Sequence, residues 1–293
     1  MTQAGTIIDG SALAKRYRDE IRARVGAVKA RAGAVRLDAV LVDAGDSAAR
    51  VYAENQGRTC AELGIEYRLH ELATGATYDD IAGRVLLLNS EERVTALMVH
   101  VPLTEGVDPY RVQRLIAPEK DVEGVNPANI GNVVYGRSSL APCTALAVIK
   151  MIESTGVPIR GKRAVVVGAG DVVGKPIAVL LMRQEATVIS CNKFTEDLVS
   201  LTRTADILVA AVGKPGLIKG GMVKSGAVVV DVGVNRVHAE GGKMKTVGDV
   251  AFEEVRPLAS FISPVPGGVG PMTVAMLLLN VVEAAERRAG VHH

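Results

Sequence analysis

Aromatic side chains are scarce in this sequence, at 3 % of residues, and neither sign of charge prevails. The 34 basic residues stand against 32 acidic ones, a formal charge of +2. A surface built for nucleic acid needs clustered Lys and Arg interleaved with stacking rings, so that class of partner is not expected. Cysteine is also sparse. Cys60, Cys143 and Cys191 form no CxxC pair, which leaves neither a disulfide framework nor a zinc spacing, and no metal is expected. The opening MTQAGTIIDG has no basic segment followed by an apolar one, so no secretory signal is expected. The apolar runs are strand- or helix-sized and fall short of the ~20 residues of a membrane span. These absences point to a reduced, cytoplasmic protein without a membrane partner.

What is present suits a packed α/β chain. Hydrophobic residues make up 48 % and charged residues 23 % of 293 positions, a length that accommodates two domains. Leu13, Tyr17, Ile21, Val25 and Val28 recur at spacings of three and four, the stripe of a buried helix face. The run Leu37–Val42 predicts a strand, and a helix is expected from about Ser47 to Leu63 with Gly64 as its left-handed cap. Further buried strands are predicted at Ala96–Val99, 163–168, 207–211 and 227–231. Near-continuous apolar strands separated by helices imply parallel sheets covered on both faces. A domain boundary is expected near 136–145, where Gly136, Ser138, Ser139 and Pro142 cluster, and a final helix from about Pro271 to Ala289.

Glycine marks the places where chemistry is expected. Val165-Val166-Val167-Gly168-Ala169-Gly170-Asp171-Val172-Val173-Gly174 runs from a strand through a turn into a helix. Such a turn brings backbone N–H groups and a helix N-terminus to a phosphate. Its third glycine comes one position later than in the dinucleotide fingerprint, and a tight turn alone would also use these glycines. The next strand ends Ile189-Ser190-Cys191-Asn192-Lys193, with a cation where an NAD site commonly has an acid for the ribose 2′-OH. Lys193 therefore either meets a 2′-phosphate, favouring NADP, or is a solvated surface lysine. Val212 and Gly213 follow one strand, and Val234 follows another. In an open parallel sheet, ligands bind outside these carboxyl ends. The segment 263–273, Ser-Pro-Val-Pro-Gly-Gly-Val-Gly-Pro-Met-Thr, is a rigid loop entering the last helix.

The segments Gly168–Pro176, Ala211–Gly216, Asp231–Arg236, Gly248–Val250 and Pro264–Thr273 together resemble the methylenetetrahydrofolate dehydrogenase/cyclohydrolase family, from Ile7-Ile8-Asp9-Gly10 to the last helix. The resemblance implies a folate-type α/β domain at 1–142 joined by the C-terminal helix 271–293, and a Rossmann-type NADP domain at 143–270. It also implies a cleft between them and a homodimer. Carried over residue by residue, it places cofactor contacts at Gly168, Ala169, Gly170, Asp171, Val172, Val173, Lys193, Val212, Gly213 and Val234. Substrate contacts fall at Val99, Val101, Pro266, Gly267, Gly268 and Val269, and catalytic positions at Tyr52, Gln56, His100 and Glu123.

The sequence departs from the family at most of those catalytic positions. The family's Tyr-x-x-x-Lys helix keeps its tyrosine as Tyr52, but the lysine position holds Gln56 and a preceding serine position holds Ala49. A glutamine is replaced by His100, and the folate-anchoring aspartate by Glu123. Pro-Cys-Thr-Pro reads Pro142-Cys143-Thr144-Ala145, and the cofactor turn's Gly-Arg-Ser reads Gly168-Ala169-Gly170. Hydride removal from the methylene carbon is driven by a ring-nitrogen lone pair and needs positioning more than a base. Hydrolysis of the methenyl product needs a managed proton, which a glutamine cannot supply. His100, with an ordinary pKa near ~6.5, is a candidate to take it over. The expectation is an NADP-dependent methylenetetrahydrofolate dehydrogenase with weak or absent cyclohydrolase activity. An oxidoreductase on another imine or amine, or a non-enzymatic cofactor-binding paralogue, stays open beside it.

Overall fold

The computed structural model describes residues 5–42, 48–137, 140–238 and 242–290. Ser47, Ser138, Ser139 and the terminal Val291–His293, which figure in the expectations above, lie outside the described residues. The chain forms two compact units: residues up to Lys15 with Thr144–Met276, and Arg16–Cys143 with the chain from Leu277 onward.

The first elements are β1 (Thr6–Ile7), α1 (Gly10–Ala32), β2 (Arg36–Val42), α2 (Ala48–Leu63), β3 (Glu66–Leu72), α3 (Tyr78–Ser90), β4 (Ala96–Val99), α4 (Pro109–Gln113) and α5 (Pro127–Val134). Then come α6 (Cys143–Glu153), β5 (Arg163–Val167), α7 (Gly174–Arg183), β6 (Thr187–Cys191), α8 (Leu198–Thr202), β7 (Ile207–Ala210) and β8 (Val228–Asp231). The last are β9 (Asn235–His238), β10 (Met244–Val247), α9 (Phe252–Val255), β11 (Phe261–Ile262) and α10 (Val269–Arg288).

In the unit that begins at Arg16, β3, β2 and β4 form a parallel sheet in that order. β2 is central and buried almost throughout, which explains why its apolar run was legible. Ile81, Val85 and Leu88 of α3 pack with Val40, Leu97 and Val99. Two polar devices hold this sheet in place. Arg36 reaches Asp38 and Glu91 at 2.7 Å each while 1 % exposed, so a buried guanidinium has two carboxylates to offset its lost hydration. At α3, Thr77 and Asp80 form a reciprocal capping box at the start. Lys120 Nζ donates to the carbonyls of Leu88, Asn89 and Glu91 at its end.

The other unit carries a six-stranded parallel sheet in the order β1-β11-β8-β7-β5-β6. The chain runs from β5 to β6 on one side and returns to β7 on the other, so the order reverses between β5 and β7. Beside the two-residue strands β1 and β11, three strands lie outside those expected. β3 is an edge strand with alternating exposure, and β9 with β10 makes an antiparallel hairpin. None of the three has the continuous apolar run that marked the buried strands. α10 starts at Val269, two residues before the expected Pro271, because a proline is tolerated in a first helical turn. It also corrects the expectation that no stretch reaches spanning length. α10 is 20 residues long and apolar enough, but its most apolar window is 72 % buried in the fold, the position of a core helix.

Candidate functional site

α2 buries Ala53, Gln56, Cys60 and Leu63, a stripe at helical spacing. Gln56 is the polar member of that stripe and is 3 % exposed. Neither its Nε2 nor its Oε1 has a hydrogen-bond partner among the described residues. An enclosed amide left unpaired costs ~1–3 kcal/mol per group, so its presence needs a reason beyond packing. One turn earlier, Tyr52 is 44 % exposed, and its ring stands edge-on to His100 with centroids 5.9 Å apart. Gly57 lets the Tyr67 ring approach: a Cβ there would lie 2.8 Å from a ring carbon. The Tyr67 hydroxyl then comes to 3.5 Å from His100 Nε2.

His100 follows β4, tied by its N–H to the Val40 carbonyl at 2.9 Å. Burial pushes its imidazole down to about 4, so at neutral pH the ring is uncharged. Glu123 moves the opposite way. Burial and the neighbouring Asp121 carboxylate raise it to about 7, against the N–H of Val99, which donates to it. Its Oε2 is sealed from solvent without a partner among the described residues. Burial and the Glu123 charge also raise the Tyr52 phenol. Of these groups, Glu123 is the one whose titration falls near neutrality. The expectation that His100 carries the proton therefore meets a ring too poorly hydrated to hold one.

Asp121 builds the loop that presents Glu123. Its carboxylate accepts from the N–H groups of Gly124 (3.1 Å) and Asn126 (2.7 Å) and from Asn129 Nδ2 (2.9 Å). Gly124 turns at φ 69° directly against the Ala141 carbonyl, where a Cβ would come within 2.4 Å of the carbonyl carbon. Val99 contributes its N–H, while its side chain is buried in the core. Val101 is exposed at the start of a cis peptide with Pro102.

The raised Glu123 carboxyl has a measurable consequence for stability. A folded-state value of about 7 against an ordinary 4.5 means that the folded protein holds the proton longer. Stability contributed by this group is present below the unfolded value and is lost as pH rises from about 4.5 to about 7, by roughly 3 kcal/mol. Glu123→Gln should remove that slope and be more stable than wild type at pH 8, with the advantage fading towards pH 4.5. Urea denaturation of both proteins across this range reads the difference, and parallel curves would refute the assignment.

In the other unit, Gly168, Ala169, Gly170, Asp171, Val172 and Val173 form the turn between β5 and α7. Lys193 follows β6, Val212 and Gly213 follow β7, and Val234 follows β8. All lie at the carboxyl edge of one parallel sheet, with Gly168 and Val212 at the reversal of strand order. Gly168 adopts φ 109° and lies so close to the Ala211 carbonyl that a Cβ would sit 2.1 Å from its oxygen. α7 begins without a side-chain cap; Lys175 N–H donates to Gly170 O at 3.0 Å and Pro176 carries no N–H, which leaves the Gly174 N–H of its first turn for an anion. Val172, Val212 and Val234 are exposed apolar side chains at this edge. Lys193 is exposed, its ammonium 4.9 Å from the Phe194 ring centre. These residues fit a dinucleotide: an anion cradle, apolar walls and an available cation.

Pro266, Gly267, Gly268 and Val269 lie in the same unit, where part of the glycine requirement is internal. Gly268 abuts Gly10, whose Cβ would lie 1.8 Å from the Gly268 oxygen, and Ser11 N–H donates to Gly267 O at 3.2 Å. Pro266 is exposed after a cis bond to Val265, whereas Val269 is buried at the head of α10.

Several residues that shape the site had no role assigned from the sequence, although Asp231 and Asp249 lie in motifs quoted above. The Asp249 carboxylate accepts from the N–H groups of Val212 (2.6 Å), Gly213 (2.9 Å) and Lys214 (2.8 Å), and from Asn235 Nδ2 (2.9 Å). Asp231 accepts from Gly233, Asp249 and Val250 N–H groups, and burial lifts it to about 6. Asn280 interrupts the apolar run of α10 and bonds to the carbonyls of Val122 and Ala141. A lone polar residue inside such a run is the signal that could have marked it.

The chain matches the family model of the tetrahydrofolate dehydrogenase/cyclohydrolase catalytic domain at residues 8–123 and that of the NAD(P)-binding domain at 142–289. It is 45 % identical over 284 residues to the bifunctional protein FolD of Bordetella petrii, covering 97 % of this chain and 95 % of that one. The bifunctional FolD structure from Campylobacter jejuni superposes with a TM-score of 0.91 at 37 % identity, covering 97 % of this chain and all of that one. The FolD structure from Trypanosoma brucei, complexed with NADP cofactor and inhibitor, gives 0.90 at 35 % identity, covering 98 % and 99 %. A two-domain α/β fold, matched by two family models over residues 8–123 and 142–289, makes this chain a member of the tetrahydrofolate dehydrogenase/cyclohydrolase family.

Proposed function

We propose that this protein is an NADP-dependent 5,10-methylenetetrahydrofolate dehydrogenase whose methenyltetrahydrofolate cyclohydrolase activity is weak or absent. The family and its bifunctional FolD relatives support the folate substrate and the dehydrogenase step. The observation that carries the narrower reading is the Gln56 amide, enclosed and unpartnered at the position where the family has its lysine. It offers a ligand an NH2 group to donate and a carbonyl oxygen to accept, and it cannot move a proton.

The Gly168–Val173 turn, Lys193, Val212 and Val234 at the carboxyl edge of the six-stranded sheet would hold NADP, which would supply the hydride acceptor. The chain's own residues have a lighter task in that step. Tyr52 offers an apolar wall, Gln56 a neutral hydrogen-bonding pair and Glu123 a carboxyl for the folate ring system, and the ring-nitrogen lone pair expels the hydride from the methylene carbon. The C–H bond breaks and a methenyl cation is left. Hydrolysis would next require a water to lose a proton. The neutral His100 ring is a poor reservoir and Glu123 is committed to the folate, so positioned general acid/base help worth ~10²–10⁴ is missing.

For the 2′-phosphate, Lys193 supplies the cation and no acid opposes it at the end of β6. Lys193→Ala should lower NADP affinity by roughly ten- to a hundredfold, about what one charge-assisted contact contributes, with NAD affinity unchanged. Dissociation constants for both nucleotides test this. Tighter NAD binding in the wild type, or unchanged NADP binding in the variant, would overturn it. A homodimer belongs to the same proposal, through the family likeness, and light scattering reads it. The function itself is tested by NADPH formation from methylenetetrahydrofolate.

A further inference from the structure

We propose that Asn280 is a positioning residue of the substrate site, holding Glu123 in place through the peptide group that precedes it. The inference rests on the folate reading above and adds to it a residue some 160 positions from Glu123 in sequence.

Asn280 is 1 % exposed, on the part of α10 that belongs to the same unit as Glu123. Its Nδ2 donates to Val122 O at 2.8 Å and to Ala141 O at 2.9 Å. The Cys143 thiol donates to the same Val122 oxygen at 3.1 Å, and Cys143 N–H reaches the Glu123 carbonyl at 3.3 Å. Both peptide groups flanking Glu123 are thus held: the one before it by Asn280 and Cys143, the one after it by Cys143. Ala141, the second anchor of Asn280, is the residue whose carbonyl Gly124 presses against. One amide therefore joins the two strands of chain that enclose the Glu123 turn.

Asn280 Oδ1 is buried without a partner among the described residues. An apolar residue would spare that cost but leave Ala141 O without this bond and Val122 O held by the Cys143 thiol alone. The arrangement makes sense where the location of those carbonyls matters. It matters because, among the described residues, the N–H of Val99 is what fixes the Glu123 carboxyl. A displacement of the backbone by about 1 Å would break that contact, and errors of this size cost ~10²-fold in rate. The titratable groups facing Glu123 are Asp121 on its own loop, Tyr52 on α2 and Cys143 on α6.

The test compares wild type with Asn280→Ser, which retains one donor, and Asn280→Ala, which retains none. Glu123 is titrated by carbon NMR of protein labelled in its glutamate carboxyls, with the resonance identified from Glu123→Gln; this needs no substrate. The expected result is a midpoint falling by about one pH unit in Asn280→Ala, and by less in Asn280→Ser, as water reaches the loosened carboxyl. KM for methylenetetrahydrofolate should rise by about tenfold with NADP affinity within about twofold. An unmoved midpoint and KM, beside a lowered Tm, would overturn the proposal and leave Asn280 a purely structural residue. If Asn280→Ala fails to fold, Asn280→Ser decides by the same readings. If the wild type does not turn over the folate, the function fails, and the titration alone still decides the role of Asn280.

Discussion

Gln56→Lys combined with His100→Gln should raise methenyltetrahydrofolate hydrolysis by about 10²-fold over wild type, more than the two single changes multiplied together. An ammonium at position 56 would enter the enclosed stripe of α2, where burial lowers its pKa towards the range useful for proton transfer. His100 does not repel it, because its ring is neutral at pH 7. The ring is nevertheless a poor partner, with Nε2 already facing the Tyr67 hydroxyl. A glutamine carbonyl at position 100 can accept from the ammonium and hold it still. That cooperation is the source of the non-additivity. Decay of the methenyl compound, corrected for its uncatalysed hydrolysis, measures it. A double variant that binds folate but stays at background would place the deficit at Glu123, with Ala49 next.

Asp249→Ala should cost about 4 kcal/mol of stability or more and weaken NADP binding by at least about tenfold. The carboxylate is fully buried and satisfies four donors, three of them successive backbone N–H groups from Val212 to Lys214. Without it those groups are orphaned, and the turn after β7 loses the frame that presents Val212 and Gly213. Asp249→Asn keeps the size but replaces one acceptor oxygen by a donor, so about half the loss is expected. Urea denaturation and nucleotide titration of the two variants test this. A loss below about 1 kcal/mol for Asp249→Ala would contradict the reading.

What was legible in the sequence follows from how each feature is buried. β2, β4, β5, β7 and β8 are covered on both faces, so their apolar runs stand out. β3 lies at an edge and alternates, and its charges conceal it. The glycine turn at Gly168 was legible because only glycine fits against the Ala211 carbonyl. The substrate positions came from family likeness, which named Gln56, His100 and Glu123 but not their protonation. Protonation depends on enclosure by chain remote in sequence. The roles of Asp249 and Asn280 were hidden for the same reason, since their partners lie 14 or more residues away. The closeness of Gly10 to Gly268 likewise joins two motifs that the sequence presents separately.

One stopped-flow trace tests whether oxidation and hydrolysis are separated in this protein, as proposed. Enzyme, NADP and methylenetetrahydrofolate are mixed, and NADPH and the methenyl compound are followed together by absorbance. Both should rise in step, and the methenyl compound should then accumulate and decay at the rate of buffer alone. NADPH rising while the methenyl compound never accumulates, with hydrolysis keeping pace with oxidation, would contradict it.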